Sequence, residues 1–396
     1  MEETTSFLMQ KEPHMVGLYV HIPFCEQKCS YCDFAAYERI EQYQDAYVSA
    51  LLSELKTRLH RYETMHPNFR IDTLYFGGGT PTHLRMDLME QLLIAINEYF
   101  PLEKMREITV ESNPGEVSEE YLEMLKRHGV KRLSFGVQVL DDKLLSILRR
   151  KHSVSDVYTT LDLVSKVSFP HVNVDLIYAL PGMSEEILLS SMEIVNHPAI
   201  DHVSIYGLQL EPTTQLYSQV QKGQILLPSE EEAEKQYDLM VSELPRYGFE
   251  RYEISNFSKP QGEAIHNTKY WQYKDYIGLG SGSHGFYRIG DSEWYRYENS
   301  PYVVPYVEAD GNLVVEEDFI SIERSKEDYC FLGLRTKWGI SSTDFEELFG
   351  VPFLSVYGEE VEGLLNKKFV KWQGNNLVLT PAGAKVGNYV FEQFIK

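Results

Sequence analysis

The densest chemistry in the sequence is HIPFCEQKCSYCDF, residues 21–34, where Cys25, Cys29 and Cys32 stand at C-x3-C-x2-C spacing. They follow an apolar run, GLYVHI (17–22), that reads as a β-strand, so all three belong to the loop at its C-terminal end. In barrels that rim is the functional one. Three readings compete. A structural zinc site takes four protein ligands in a closed tetrahedron, and His21, the candidate fourth, lies inside the strand. Inert buried thiols are poorly served by a short polar loop that also carries Lys28. Thiolates are the usual protein ligands of iron–sulfur clusters, and three of them on a four-iron cube leave one iron open to a small molecule. The third reading fits best.

Other segments carry groups suited to a ligand. In GGGTPT (77–82), Gly78 and Gly79 let backbone groups approach a ligand closely and Thr80 adds a hydroxyl. Glu111, Gln138 and Asp175 each stand at or just beyond the end of an expected strand and so converge on one face. Arg150 is suited to hold a carboxylate bidentately, although Arg149 is adjacent and Lys151 and His152 follow. In AIHNTKYW (264–271), His266 offers an imidazole, while Tyr270 and Trp271 offer flat rings; alone, the segment also reads as a surface loop anchored by aromatics. The glycines of GLGSGSHGF (278–286) read as backbone passing near the cysteine loop, with His284 structural or a second imidazole ligand. Cys330, in YCFLGL, reads as a small buried hydrophobe.

The elements that must position these groups alternate strand and helix. Strands are expected at 17–22, 71–76, 107–111, 131–136, 172–177 and 202–207. Helical spacing occupies 42–60, 85–99, 118–128 and 230–244, and Ser229 followed by Glu230, Glu231 and Glu232 marks a helix start. Such alternation gives an α/β protein with a parallel sheet: a partial (βα)6 TIM-like barrel, with a doubly wound sheet as the alternative. Residues 1–258 would form that barrel and 259–319 a connecting, β-rich segment. Residues 320–396 would form a smaller α+β, winged-helix-like unit ending in the hairpin FVKWQGNNLVLT (369–380) and a helix from Pro381.

The chain has 396 residues, 43% of them hydrophobic, enough for a large domain and a smaller one. Its formal charge of -22 argues against nucleic acid and against adsorption to anionic lipid, and residues 320–396 balance ten acidic against nine basic side chains. No run of about 18 apolar residues predicts a membrane span. The first residues, MEETTSFLMQKEPH, lack a secretory pattern, and four cysteines do not make a disulfide scaffold, so a reducing cytoplasm is expected. Oligomeric state leaves no mark, and a homodimer stays open.

Taken together, Tyr19 to Cys25 (Y-x-H-I-P-F-C), the three-cysteine loop, GGGTPT, SFGVQ (134–138) and DLIYALPG (175–182) resemble the radical S-adenosylmethionine (SAM) superfamily, in its coproporphyrinogen-oxidase-like branch. The resemblance spans nearly the whole chain. It implies a [4Fe-4S] cluster on Cys25, Cys29 and Cys32, and SAM bound at the open iron and cleaved reductively to a 5′-deoxyadenosyl radical. It also implies SAM contacts from Gly78, Gly79, Thr80, Glu111, Gln138, Arg150 and Asp175, with Tyr19 flanking the cluster. Oxidases of that branch carry a further cysteine at the position of Phe34, and a phenyl ring cannot replace a thiolate. Relatives with Phe there resemble heme chaperones, for which H-N-x-x-Y-W is heme-associated. His266 is then the axial-ligand candidate, with Tyr270 and Trp271 stacking on the macrocycle. The implied function is delivery of heme to apo-hemoproteins, with peripheral membrane contact through a protein. The alternative is a radical SAM enzyme acting on a tetrapyrrole, of the oxygen-independent coproporphyrinogen III oxidase or heme-degrading type.

Overall fold

A computed structural model describes residues 13–290 and 293–396; the N-terminal stretch read above as lacking a secretory pattern lies almost wholly outside them. Strand β1 (His14–Ile22) is followed by two short strands, β2 (Phe24–Cys25) and β3 (Tyr37–Glu38), which pair in parallel across the cysteine loop. Then come β4 (Phe69–Gly78), β5 (Glu107–Ser112), β6 (Arg132–Gln138), β7 (His171–Tyr178) and β8 (His202–Gly207). β1 and these five strands fall where the apolar runs placed them. They lie in the order β1-β4-β5-β6-β7-β8, every pair parallel. The sheet does not close on itself, which makes it an open barrel.

Helices α1 (Gln44–Met65), α2 (Met86–Tyr99), α3 (Glu119–Arg127), α4 (Asp142–Ile147), α5 (Val154–Val167), α6 (Glu185–Met192) and α7 (Gln215–Gln221) occupy the connections, and α8 (Glu230–Glu243) follows. Helix α8 starts after Ser229, as the sequence foretold, and Ser229 and Glu232 close a full capping box there. Along most of their length these strands alternate between two faces. One set, including Leu74, Phe76, Ile108, Val110, Leu133, Phe135, Val172, Val174, Val203 and Ile205, is fully buried in one continuous apolar core. The intervening set is polar: Thr109 and Glu111, Ser134, Asn173 and Asp175, His202 and Ser204 all line a cavity. A parallel strand buried on both faces is usually apolar throughout. A polar inner face therefore marks a lumen built to hold something other than side chains.

Strands continue past β8 and through the segment 259–319. Two short strands, β9 (Glu250–Arg251) and β10 (Asn256–Ser258), extend the sheet beyond β8 in antiparallel fashion. Helix α9 (Ile265–Trp271) is succeeded by β11 (Tyr276–Leu279), which joins β1 as a further parallel strand. Then β12 (His284–Ile289), β13 (Glu293–Asn299), α10 (Val303–Glu308) and β14 (Val314–Ile320) continue the sheet in antiparallel steps, giving twelve strands in all among the described residues.

Helices α11 (Ile322–Leu334), α12 (Ser342–Phe349) and α13 (Phe353–Asn366) with strands β15 (Ile340–Ser341), β16 (Val370–Gln373) and β17 (Asn376–Leu379) form the helices and small wing expected near the C-terminus. Two short helices, α14 (Pro381–Lys385) and α15 (Gly387–Glu392), end the chain. A second apolar core, including Cys330, Phe345, Phe353 and Phe394, also takes in Tyr273, Phe286 and Trp294 from the preceding segment. Among the described residues no helix is long and apolar enough to cross a membrane.

Candidate functional site

The three cysteines are free, and all line one cavity of about 790 Å³ at the C-terminal ends of the parallel strands. Cys25 is carried on β2, and Cys29 and Cys32 on the loop that returns to β3. His21 is not a fourth ligand. Its Nδ1 meets the Tyr19 hydroxyl at 3.2 Å and its Nε2 the Ala35 carbonyl at 2.9 Å, so the ring braces the loop from behind. Burial lowers its pKa to about 4, which keeps it neutral. Burial also pushes the Cys25 thiol up to about 12 and that of Cys32 to about 11. Such thiols ionise only against strong positive charge, as a bound cluster's iron provides. The donor set therefore fits an iron–sulfur group better than an unassisted nucleophile.

Gly79 explains the glycine run. A Cβ there would stand 2.9 Å from the Phe24 carbonyl oxygen and 3.0 Å from Cys25 Sγ, so only glycine lets β4 end against the cysteine loop. Gly78 adopts φ +115°, and a Cβ on it would strike the His21 ring at 2.6 Å. Its N–H donates to Glu111 Oε2 at 3.1 Å, while Tyr75 donates to Oε1 at 2.7 Å. Thr80 accepts from Asn113 Nδ2 at 2.9 Å and directs its own hydroxyl towards Cys25 Sγ at 3.6 Å.

Arg150, not Arg149, faces the site. Its Nη1 donates to Cys29 Sγ at 3.1 Å and its Nη2 to the Gly136 carbonyl at 2.6 Å and to Asn113 Oδ1. Arg149, at φ +56°, turns outward to Gln215 and Glu38. A break in register between Gly136 and Gln138, with Gln138 at φ +70°, brings the Gln138 amide onto the cavity wall. Asp175 accepts from Asn173 Nδ2 at 2.8 Å and Ser134 Oγ at 3.3 Å, and burial raises its pKa. Burial likewise raises Glu111, to about 7. Two carboxyls held above their ordinary range welcome a cationic ligand, because the ligand restores what burial removed.

Tyr19 lies behind this wall rather than on it, stacked on Tyr75 at 6.0 Å. His266 is also absent from the wall. Only 1% exposed, it spends both ring nitrogens on protein, Nδ1 on the Thr73 hydroxyl at 2.9 Å and Nε2 on the Tyr270 hydroxyl at 2.8 Å. Tyr270 is thus committed to His266, and Trp271 lies under the Arg335 guanidinium at 5.1 Å. It is Asn267, in the same motif, that reaches the cavity. Phe34 sits at the mouth, largely exposed. His284 is exposed at the start of β12, while Gly280 and Gly282 pack against His21 and Ala35 as the glycine pattern implied.

Sequence reasoning missed Asn113, which ties Thr80 to Arg150, and the inner polar row of Ser134, Asn173, His202 and Ser204. The signal was present in the polar alternation of VNVDLI and HVSIYG.

An open parallel sheet carrying a three-thiol loop on its C-terminal rim is the architecture of radical SAM proteins, and residues 19–195 match the radical SAM superfamily, 328–386 the HemN C-terminal domain. The chain is 36% identical to heme chaperone HemW of Lactococcus lactis subsp. lactis (strain IL1403), over 95% of its own length and 96% of that protein's. It is 35% identical to heme chaperone HemW of Bacillus subtilis (strain 168), over 96% and 99%. Coproporphyrinogen III oxidase (HemN) from Escherichia coli shares the fold, with a TM-score of 0.81 over 97% of this chain and 91% of that one, at 22% identity. The chain belongs to the HemW family.

Proposed function

We propose that this protein holds a [4Fe-4S] cluster on Cys25, Cys29 and Cys32, binds SAM beside it, and binds heme for delivery to apo-hemoproteins, those of the respiratory membrane among them. One observation carries the reading. The three free cysteines share a single cavity wall with Gly78, Gly79, Thr80, Glu111, Gln138, Arg150 and Asp175, in a chain whose near-full-length relatives are named heme chaperones. When bound, the cluster and SAM together supply reductive cleavage of a sulfonium.

The chain's own residues prepare the site. Arg150 places positive charge on the Cys29 sulfur. Gly78 and Gly79 open backbone for the methionyl part of SAM, and Glu111 and Asp175 face its cationic and hydroxyl groups. Phe34 offers no sulfur where coproporphyrinogen oxidases have one, so no oxidase activity is expected. Burial pushes the pKa of His266 down to about 3, which keeps its imidazole in the neutral form that ligates iron. Ligation then requires Thr73 and Tyr270 to release it. We place the protein in the cytoplasm, docking at the membrane through a protein partner, since a net charge of -22 disfavours anionic lipid.

The test is anaerobic. Reconstituted protein with SAM, reductant and coproporphyrinogen III should form no protoporphyrinogen IX, while hemin should give a saturable Soret shift. Steady product formation would overturn the chaperone reading in favour of the oxidase.

A further inference from the structure

The cavity wall contains one group that neither the cluster nor SAM explains. Arg335, at the C-terminal end of α11, leaves the C-terminal unit and reaches the lumen that holds the cysteines. Its guanidinium stacks between Trp271 and Phe331, at 5.1 Å from each ring centre. Among the described residues it makes no hydrogen bond and no ion pair, and its Nε is buried without a partner. A half-buried guanidinium with one donor shut away from water and unpaired is costly unless something fills it.

The surroundings hold it in place. The Lys337 N–H donates to the Tyr252 carbonyl at 2.8 Å, Thr336 bridges to Glu253, and Lys337 pairs with Glu263 at 2.7 Å. These contacts fasten residues 335–338 to the rim of the barrel, and Trp271 fixes the plane of the guanidinium. On the same wall stands Asn267. At the strand-start end of the lumen, Arg132 is held by Glu107 at 3.0 Å and by the Gly262 carbonyl at 2.9 Å. Its Nη1 is buried without a partner, on a side chain only 3% exposed.

We propose that Arg335, with Asn267 and Arg132 on the same cavity wall, is the anchor for a carboxylate of the second ligand, and that the C-terminal unit is there to supply it. A stacked, planar guanidinium is the group that recognises a carboxylate bidentately. The second ligand is thus a carboxylate-bearing macrocycle, read through its propionate arms as well as through its metal. This rests on the reading above that the lumen takes a tetrapyrrole, and it gives H-N-x-x-Y-W a role in the structure as it stands. Trp271 orients Arg335, and Asn267 faces the ligand.

The experiment compares wild-type, Arg335→Met and Arg335→Lys proteins, each with the cluster reconstituted. Titrants are heme, its dimethyl ester and coproporphyrin III, followed by absorbance or fluorescence quenching. Met keeps the apolar stem, and unchanged iron and sulfide content shows that each variant is folded. Wild type should prefer heme to the ester by about tenfold or more, the worth of one charge-assisted pair. Arg335→Met should erase that preference, and Arg335→Lys should restore part of it. Heme binding that is equal in Arg335→Met, or a preference for heme over its ester that survives the substitution, overturns the anchor and leaves the heme reading intact. Coproporphyrin bound and lost with Arg335, with no heme bound by wild type, overturns the heme reading and leaves the anchor. Binding of none of the three overturns both.

Discussion

Replacing Glu111 with Gln should change how stability depends on pH. The carboxyl accepts from Tyr75 and from the Gly78 N–H, and Asp175 faces it from β7. Tyr19, Tyr206 and Tyr270, from β1, β8 and α9, also feel its charge. Burial first, then repulsion from Asp175, moves its pKa from 4.5 to about 7. The folded chain therefore keeps this proton to a higher pH than the unfolded chain does. The stability it contributes is complete below about pH 4.5 and is lost as pH rises through 7. At about 1.4 kcal/mol for each tenfold, the difference between the two limits is about 3 kcal/mol. Gln cannot ionise, and it meets Tyr75 and Gly78 less well, at a pH-independent cost of about 1–2 kcal/mol. Urea unfolding of metal-free protein from pH 5 to pH 8 is the assay. The variant should be the less stable protein at pH 5 and the more stable one at pH 8. A difference between the two proteins that stays flat across this range would refute the argument. In cluster-loaded protein, SAM should bind wild type more tightly as pH rises through 7, and Glu111→Gln should flatten that dependence.

Cys29→Ser should remove bound iron and sulfide, read by chemical analysis, whereas retention of a single zinc would support a structural zinc site instead. Gly78→Ala should lower unfolding stability by about 2–4 kcal/mol, because it combines an unfavourable φ of +115° with a clash on the His21 ring; a change within a few tenths would contradict the packing described. His266→Ala should cost about 2–4 kcal/mol, since Thr73 and Tyr270 both lose their buried partner. The same variant should weaken the hemin Soret titration, and an unchanged titration would leave His266 as a core side chain alone.

The strands were legible because each carries a buried apolar set that local periodicity reveals, as in Leu74 and Phe76 or Leu133 and Phe135. The cysteine loop was legible because its three ligands lie within eight positions. Residues 259–319 were harder. Strands such as β13, EWYRYEN, mix aromatic with charged residues, and their pairing partners lie far away in sequence or across antiparallel turns. Local pattern cannot show that Tyr276–Leu279 lies beside β1. The choice between Arg149 and Arg150 turned on a single left-handed residue, which composition does not display. Arg335 was invisible for a similar reason: its place on the cavity wall depends on how the C-terminal unit is fastened to Tyr252 and Glu253. Within H-N-x-x-Y-W, helical geometry turns His266 into the core and the neighbouring Asn267 towards the lumen, a difference that residue type alone does not display.

The central claim is that three thiolates leave one iron of a cubane open for SAM. Mössbauer spectroscopy of the anaerobically reconstituted protein, before and after SAM is added, tests it most directly. A four-iron cluster in which one iron alone changes its signal on adding SAM is the predicted result. A spectrum without a cubane, or a cubane indifferent to SAM, would contradict it.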